Sequence, residues 1–123
     1  MYLKRQWSWL PKTKSSMKEL VKAIQEIAKK NPKGFTVTIP DLEPVRFGWA
    51  IGHKETQNSH GVKGLKKVIA HSLKTTKVVG GWSGYSKYFY DTVIIETDTN
   101  KAVELKYEHG QLHIYRIDTG QII

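Results

Sequence analysis

From Met17 to Ala28 the apolar residues keep a helical beat: Met17, Leu20, Val21, Ile24, Ile27 and Ala28 fall at i, i+3, i+4, i+7, i+10 and i+11. That spacing lays one apolar stripe along a helix, suited to resting on a sheet. Ser16 and Glu19 frame its start as a capping box, in which hydroxyl and carboxylate satisfy first-turn amides. Lys29 and Lys30 suit the negative helix end, and Asn31-Pro32 stops it. At Gly34 the period changes from helical to twofold. Phe35, Val37 and Ile39 alternate with threonines, "PDLEP" turns the chain, and Val45, Phe47, Trp49 and Ile51 alternate again. Two strands are predicted, paired as a hairpin.

After the polar segment "HKETQNSHG" a second helix is predicted from Ser59 or His60 to Lys74, with Val62, Leu65, Ile69 and Leu73 inward. Gly61 and Gly64 each weaken it by about 1 kcal/mol relative to Ala, so its first turns should be loose. "TKVVGGW" and "YSKYFYDTVIIET" read as strands joined at Ser83-Gly84. In the second, Phe89, Val93 and Ile95 face the core under the helices, and Tyr88, Tyr90 and Ile94 face the other way, partly covered. "KAVELKYE" alternates like a strand but is also rich in helix formers behind a cap at Asp98, with Gly110 to end a helix. "QLHIYRI" is predicted as a final strand. The sum is a single α+β domain over 15–123, with an antiparallel sheet of about five strands and two to three helices mainly on one face. A basic aromatic arm, 1–14, precedes it, and its Trp7 and Trp9 are expected to strap the core, the alternative being rings offered to bases.

A chain of 123 residues with 39% apolar and 25% charged side chains holds one modest core and is not a disordered tail. Cysteine is absent, which excludes disulfides and thiolate metal sites and fits a reducing compartment. The first residues have no apolar run or small-residue cleavage site of the secretory kind, and no stretch nears the roughly 20 apolar residues of a membrane span. A cytoplasmic protein without membrane contact is expected.

Charge changes this picture most. The net charge is +9, and it is uneven: no acid occurs before Glu19, and none between Glu55 and Asp91. Such windows favour phosphate-rich or acidic partners. On the second helix Lys63, Lys67, His71 and Lys74 form a stripe without a carboxylate. Beside it Tyr85, Lys87, Tyr88 and Tyr90 would add rings able to stack on bases. These eight residues are the candidate binding site for nucleic acid or an acidic nucleoprotein complex.

The segments "GFTVTI", "GWAIG", "ETQNS", "GGW", "YFYDTVII", "KAVEL" and "QLHIYRIDTG" resemble small accessory proteins of bacterial phages, plasmids and integrative elements. The resemblance spans roughly Gly34 to Gly120 and implies a helix over Thr99 to His109 before the last strand. It also implies a mobile-element protein that acts on nucleic acid or interferes with host defence. It supplies no catalytic residue.

No glycine-rich phosphate loop, nucleophile elbow or metal-ligand spacing is present; His109 and His113 are split by Gly110 and the strand pattern. No cofactor or metal is expected. The one catalytic alternative is a metal-free ribonuclease in which His53, Glu55 and His60 supply base and acid beside lysines.

Overall fold

The fold is given by a computed structural model that describes residues 16–123. The arm expected over 1–14, with Trp7 and Trp9, lies outside the described residues, as does Ser15. Helix α1 (Met17–Lys30) begins where the capping box places it, the Ser16 hydroxyl accepting from the Glu19 amide and the Glu19 carboxylate from the Ser16 amide. The chain continues through β1 (Gly34–Thr38), β2 (Trp49–Gly52), a single 3-10 turn (Lys54–Thr56), β3 (Ser59–His60) and α2 (Gly61–Lys74). Strands β4 (Val78–Gly84) and β5 (Lys87–Glu96), helix α3 (Thr99–Glu108) and the short β6 (Tyr115–Arg116) complete it. Among the described residues no helix is long and apolar enough to cross a membrane.

The architecture is α+β: an antiparallel, curled sheet in the order β1-β4-β5-β2-β6, with β3 added to β5 beside β2. Strand β5 is central and long enough to serve β4 along one edge and both β2 and β3 along the other. The residues implied to be helical after it form α3, capped by the Asp98 carboxylate on the Lys101 amide.

Two clusters fill the helical side of the sheet. Leu20, Val21, Ile24 and Ala28 of α1 meet Leu65, Val68 and Ile69 of α2 over Val79 and Tyr90. Under α3, Trp49, Ile51, Ala102 and Ile114 close a second cluster, and the Trp49 indole N–H donates to Thr99 Oγ1 at 3.1 Å. Each large buried side chain contributes about 1.5–3 kcal/mol to this packing.

Four expectations are corrected. The strands around "PDLEP" do not form a hairpin: β1 pairs with β4, whereas β2 lies on the far side of β5. The two stretches meet beside the turn, through a bridge from Val37 to Pro44 and backbone hydrogen bonds from Thr38 to Glu43 and from Val45 to Thr36, and Phe47 stays 69% exposed. Second, the β4–β5 turn is Tyr85-Ser86, not Ser83-Gly84. Gly84 pairs with Lys87, and both turn residues take left-handed φ, 52° and 64°. Third, the face of β5 under α1 and α2 is the tyrosine face; Phe89 and Val93 lie on the other. The alternation was right and its sense inverted, because Gly81 opens the helical side to Tyr88, Tyr90 and Phe35 together. Of the last predicted strand only Tyr115 and Arg116 join the sheet, and Leu112 is left exposed.

A methyl at Gly81 would overlap the Phe35 ring and come within 2.7 Å of the Tyr88 ring. Gly81→Ala is therefore expected to lower unfolding free energy by about 1–3 kcal/mol through overpacking. Urea denaturation would show the change as a lower midpoint at constant slope.

Candidate nucleic-acid interface

Helix α2 carries both core and charge. Leu65, Val68, Ile69 and Ser72 are its buried residues, while Val62 and Leu73, expected inward, are exposed. The helix is rotated because Ser72 is drawn inward: its hydroxyl lies 2.7 Å from that of Thr92, which is fully buried on β5. Turned this way, α2 directs Lys63, Lys67 and Lys74 outward, and all three are exposed, as is Lys66. Among the described residues, none of these ammonium groups lies within salt-bridge distance of a carboxylate. On α1, by contrast, Lys29 pairs with Glu26 at 3.2 Å.

His71 leaves the expected stripe. The same rotation brings it to the sheet, where its Nδ1 lies 2.9 Å from Thr92 Oγ1. Tyr88 and Tyr90 are also not free rings. Tyr90 is core, and Tyr88 stacks on Phe35 while its hydroxyl donates to the Asn31 carbonyl at 2.8 Å. Burial, and then the neighbouring Tyr90, pushes the Tyr88 hydroxyl up to about 12, so it remains a donor at any physiological pH. Tyr85 and Lys87 do reach solvent, at and beside the hairpin tip, with Tyr85 87% exposed. The structure thus brings Lys63, Lys67 and Lys74 to one helix face, leaves Tyr85 and Lys87 accessible on the hairpin, and removes His71, Tyr88 and Tyr90 into packing.

The proposed catalytic trio does not assemble. The His53 ring lies on the helical side of β5, and its backbone N–H donates to the Thr92 carbonyl. His60 pairs with Phe89 and sets its ring edge-on to the phenyl, on the opposite side. Glu55 is exposed and offers His53 its backbone N–H, not its carboxylate.

What His53 does meet is a cluster that no sequence spacing signals. Its ring centroid is 4.5 Å from that of His71 and 4.5 Å from that of His109, three imidazoles drawn from the end of β2, from α2 and from the end of α3. The Nδ1 atoms of His53 and His109 accept the backbone N–H groups of Glu55 and Lys54, fixing each neutral ring as the Nε2–H tautomer. Ring nitrogens occupied in this way do not converge on a cation, and among the described residues no group of three or more possible ligands could hold a metal ion.

A second group missed by sequence patterns is Asp91, on the side of β5 away from the helices. It faces Gly52 and Gly80, where added methyl groups would stand within 2.9 Å and 2.8 Å of its carboxylate oxygens. Although the residue keeps partial solvent contact, the surrounding packing pushes its carboxyl up to about 7. Burial lowers the His53 imidazole below its ordinary value, and His109 and His71 lower it further; Glu55 opposes and Lys54 adds slightly.

These shifts act in opposite directions. Unfolded Asp91 ionises near 3.8 while the folded group holds its proton to about 7, so its contribution to stability falls as pH rises through that window. His53 binds its proton more readily unfolded, so its contribution falls as pH drops below about 6.5. We expect Asp91→Asn to raise the thermal midpoint above pH 7 and to leave it unchanged near pH 3. His53→Gln should flatten the loss of stability on the acid side of about pH 6.5; thermal melts across pH 3 to 8 measure both. Comparison with known proteins found no matching family model, no matching curated protein and no matching solved structure.

Proposed function

We propose that the protein binds nucleic acid, free or within a nucleoprotein complex, by its phosphate backbone along the outer face of α2. The observation that carries this reading is the exposure of Lys63, Lys67 and Lys74 on one face, with no carboxylate paired to them among the described residues. Their helix is held at both ends, by β3 entering it and by the Lys77 amide bonding back to the Ser72 carbonyl, so the charges are presented on a rigid support. A row of ammonium groups along one helix face suits the regular negative charge of a phosphate chain. The net charge of +9 adds long-range attraction and faster encounter. In the mobile-element setting implied by the sequence resemblance, such binding would occupy nucleic acid or a nucleoprotein complex of the host.

The ribonuclease reading gains no support, since His53 and His60 lie on opposite sides of β5. Purified protein should leave RNA intact in metal-free buffer.

Binding is tested by fluorescence anisotropy with labelled oligonucleotides at low salt. Affinity should fall steeply with salt, by about 0.9 in the log–log slope for each duplex phosphate neutralised. The triple variant Lys63→Glu, Lys67→Glu, Lys74→Glu should bind more weakly to every sequence and lose roughly 2–3 from that slope. Absence of binding to DNA and RNA at low salt would remove the reading.

A further inference from the structure

The side of the sheet away from the helices carries an aromatic row that the α2 lysines do not explain. Gly34, Trp82, Phe89 and His60 are successive cross-strand neighbours on β1, β4, β5 and β3. The Trp82 indole stacks on the Phe89 ring, 4.7 Å between centroids and 25° between planes, and His60 braces Phe89 edge-on from the other side at 5.9 Å. Phe89 is buried by this arrangement, whereas Trp82 is still 42% exposed. Its cross-strand neighbour on the outer side is Gly34, which has no side chain to flank it, and the indole extends over Gly84.

The hairpin tip beside it is unusual in its residues. A two-residue turn with left-handed φ at both positions normally takes Asn and Gly, whose backbones adopt that region readily. Here Tyr85 and Ser86 occupy it, and the Tyr85 ring is almost entirely in solvent. A bulky ring held in a disfavoured backbone region, with little burial in return, points to a partner outside the fold. The hairpin itself is anchored: the Ser83 hydroxyl donates to the Pro32 carbonyl and the Tyr88 hydroxyl to the Asn31 carbonyl.

Exposed cations lie next to these rings in the chain: Lys33 precedes Gly34, and Lys87 follows the turn on the same face of β5 as Phe89. We propose that this end of the sheet is a stacking platform for unpaired bases of single-stranded nucleic acid, with Trp82 and Tyr85 as the rings and Lys33 and Lys87 as phosphate partners. It rests on the nucleic-acid reading above and narrows it to single strands. Duplexes keep their base faces internally stacked and offer this surface only phosphates and groove edges, whereas a single strand exposes π-faces that any accessible ring can meet. Because Phe89 already holds the indole, Trp82 need not reorient on binding, which favours affinity.

The test compares a single-stranded pyrimidine oligonucleotide with a duplex of equal length, by anisotropy at one low salt concentration. The single strand should bind more tightly, and Trp82→Ala and Tyr85→Ala should each weaken it by about tenfold while changing duplex binding less than twofold. Tyr85→Phe should retain the affinity. Tyr85 packs against little, so its variant keeps the test sound even if Trp82→Ala perturbs folding. Equal affinity for both forms, unaffected by either alanine variant, would overturn the platform and leave the phosphate reading standing. Failure of every oligonucleotide to bind would overturn both. A concentration-dependent dimer in sedimentation that Trp82→Ala abolishes, with no effect on oligonucleotide binding, would assign the platform to a second copy of the chain and overturn the proposal.

Discussion

The sheet depends on two adjacent positions with no side chain. At Gly81 the helical face admits Phe35, Tyr88 and Tyr90 in contact, and at Gly80 the opposite face admits Val93 and the Asp91 carboxylate. Any Cβ at either would displace a ring or a strand neighbour. With bulk removed from the middle of β4, large residues on both neighbouring strands close over it, and the sheet curls without opening a void. The sidedness of the molecule follows. Tyrosines, which need polar partners for their hydroxyls, turn toward the end of α1, where the Asn31 carbonyl receives Tyr88. Phe89 and Trp82 turn away and stack on one another.

Helix α2 transmits this sidedness to the surface. Its register on the sheet is fixed by a buried polar contact, Ser72 to Thr92, as well as by apolar packing, and Thr92 in turn donates its backbone N–H to the Thr56 hydroxyl. A buried hydroxyl left unpaired would be costly, so the rotation of the helix is constrained by satisfying these groups. One consequence is chemical: His71 joins His53 and His109 in a partly buried cluster. The other is electrostatic: Lys63, Lys67 and Lys74 project together into solvent. The same small rotation separates a histidine that binds the fold from lysines free to bind a partner.

Local chemistry made much of this legible. Ser16 and Glu19 marked the start of α1, because a capping box satisfies amides within four residues of itself and needs no tertiary help. The stripe from Met17 to Ala28 predicted its buried face. Alternation located β1, β4 and β5, and the carboxylate-free lysines of α2 were visible from spacing alone. Partnerships were not. The "PDLEP" turn lies between two strands that never pair, since twofold alternation reports that a strand exists and says nothing of which edge it joins. Nor did it say which face of β5 the helices would cover, because both faces are rich in aromatic and branched residues. The histidine cluster gathers residues 18 and 38 positions apart in the chain, from 53 to 71 and from 71 to 109, a separation to which no short motif is sensitive.

The sequence by itself determined helices α1 and α2, strands β1, β4 and β5, the α+β class and a positive charge concentrated in acid-free windows, all properties of neighbours within a few bonds or one helical turn. Only the tertiary structure decided that Tyr88 and Tyr90 are core and Trp82 is not, that His53 meets His71 and His109 but not His60, and that the face of the α2 lysines is open to solvent while His71 leaves it. Those outcomes depend on how a nearly symmetric strand is covered. That choice is made by shape at Gly80 and Gly81 and by hydrogen bonds at Thr92 and Asn31, between groups that meet only once the chain has folded.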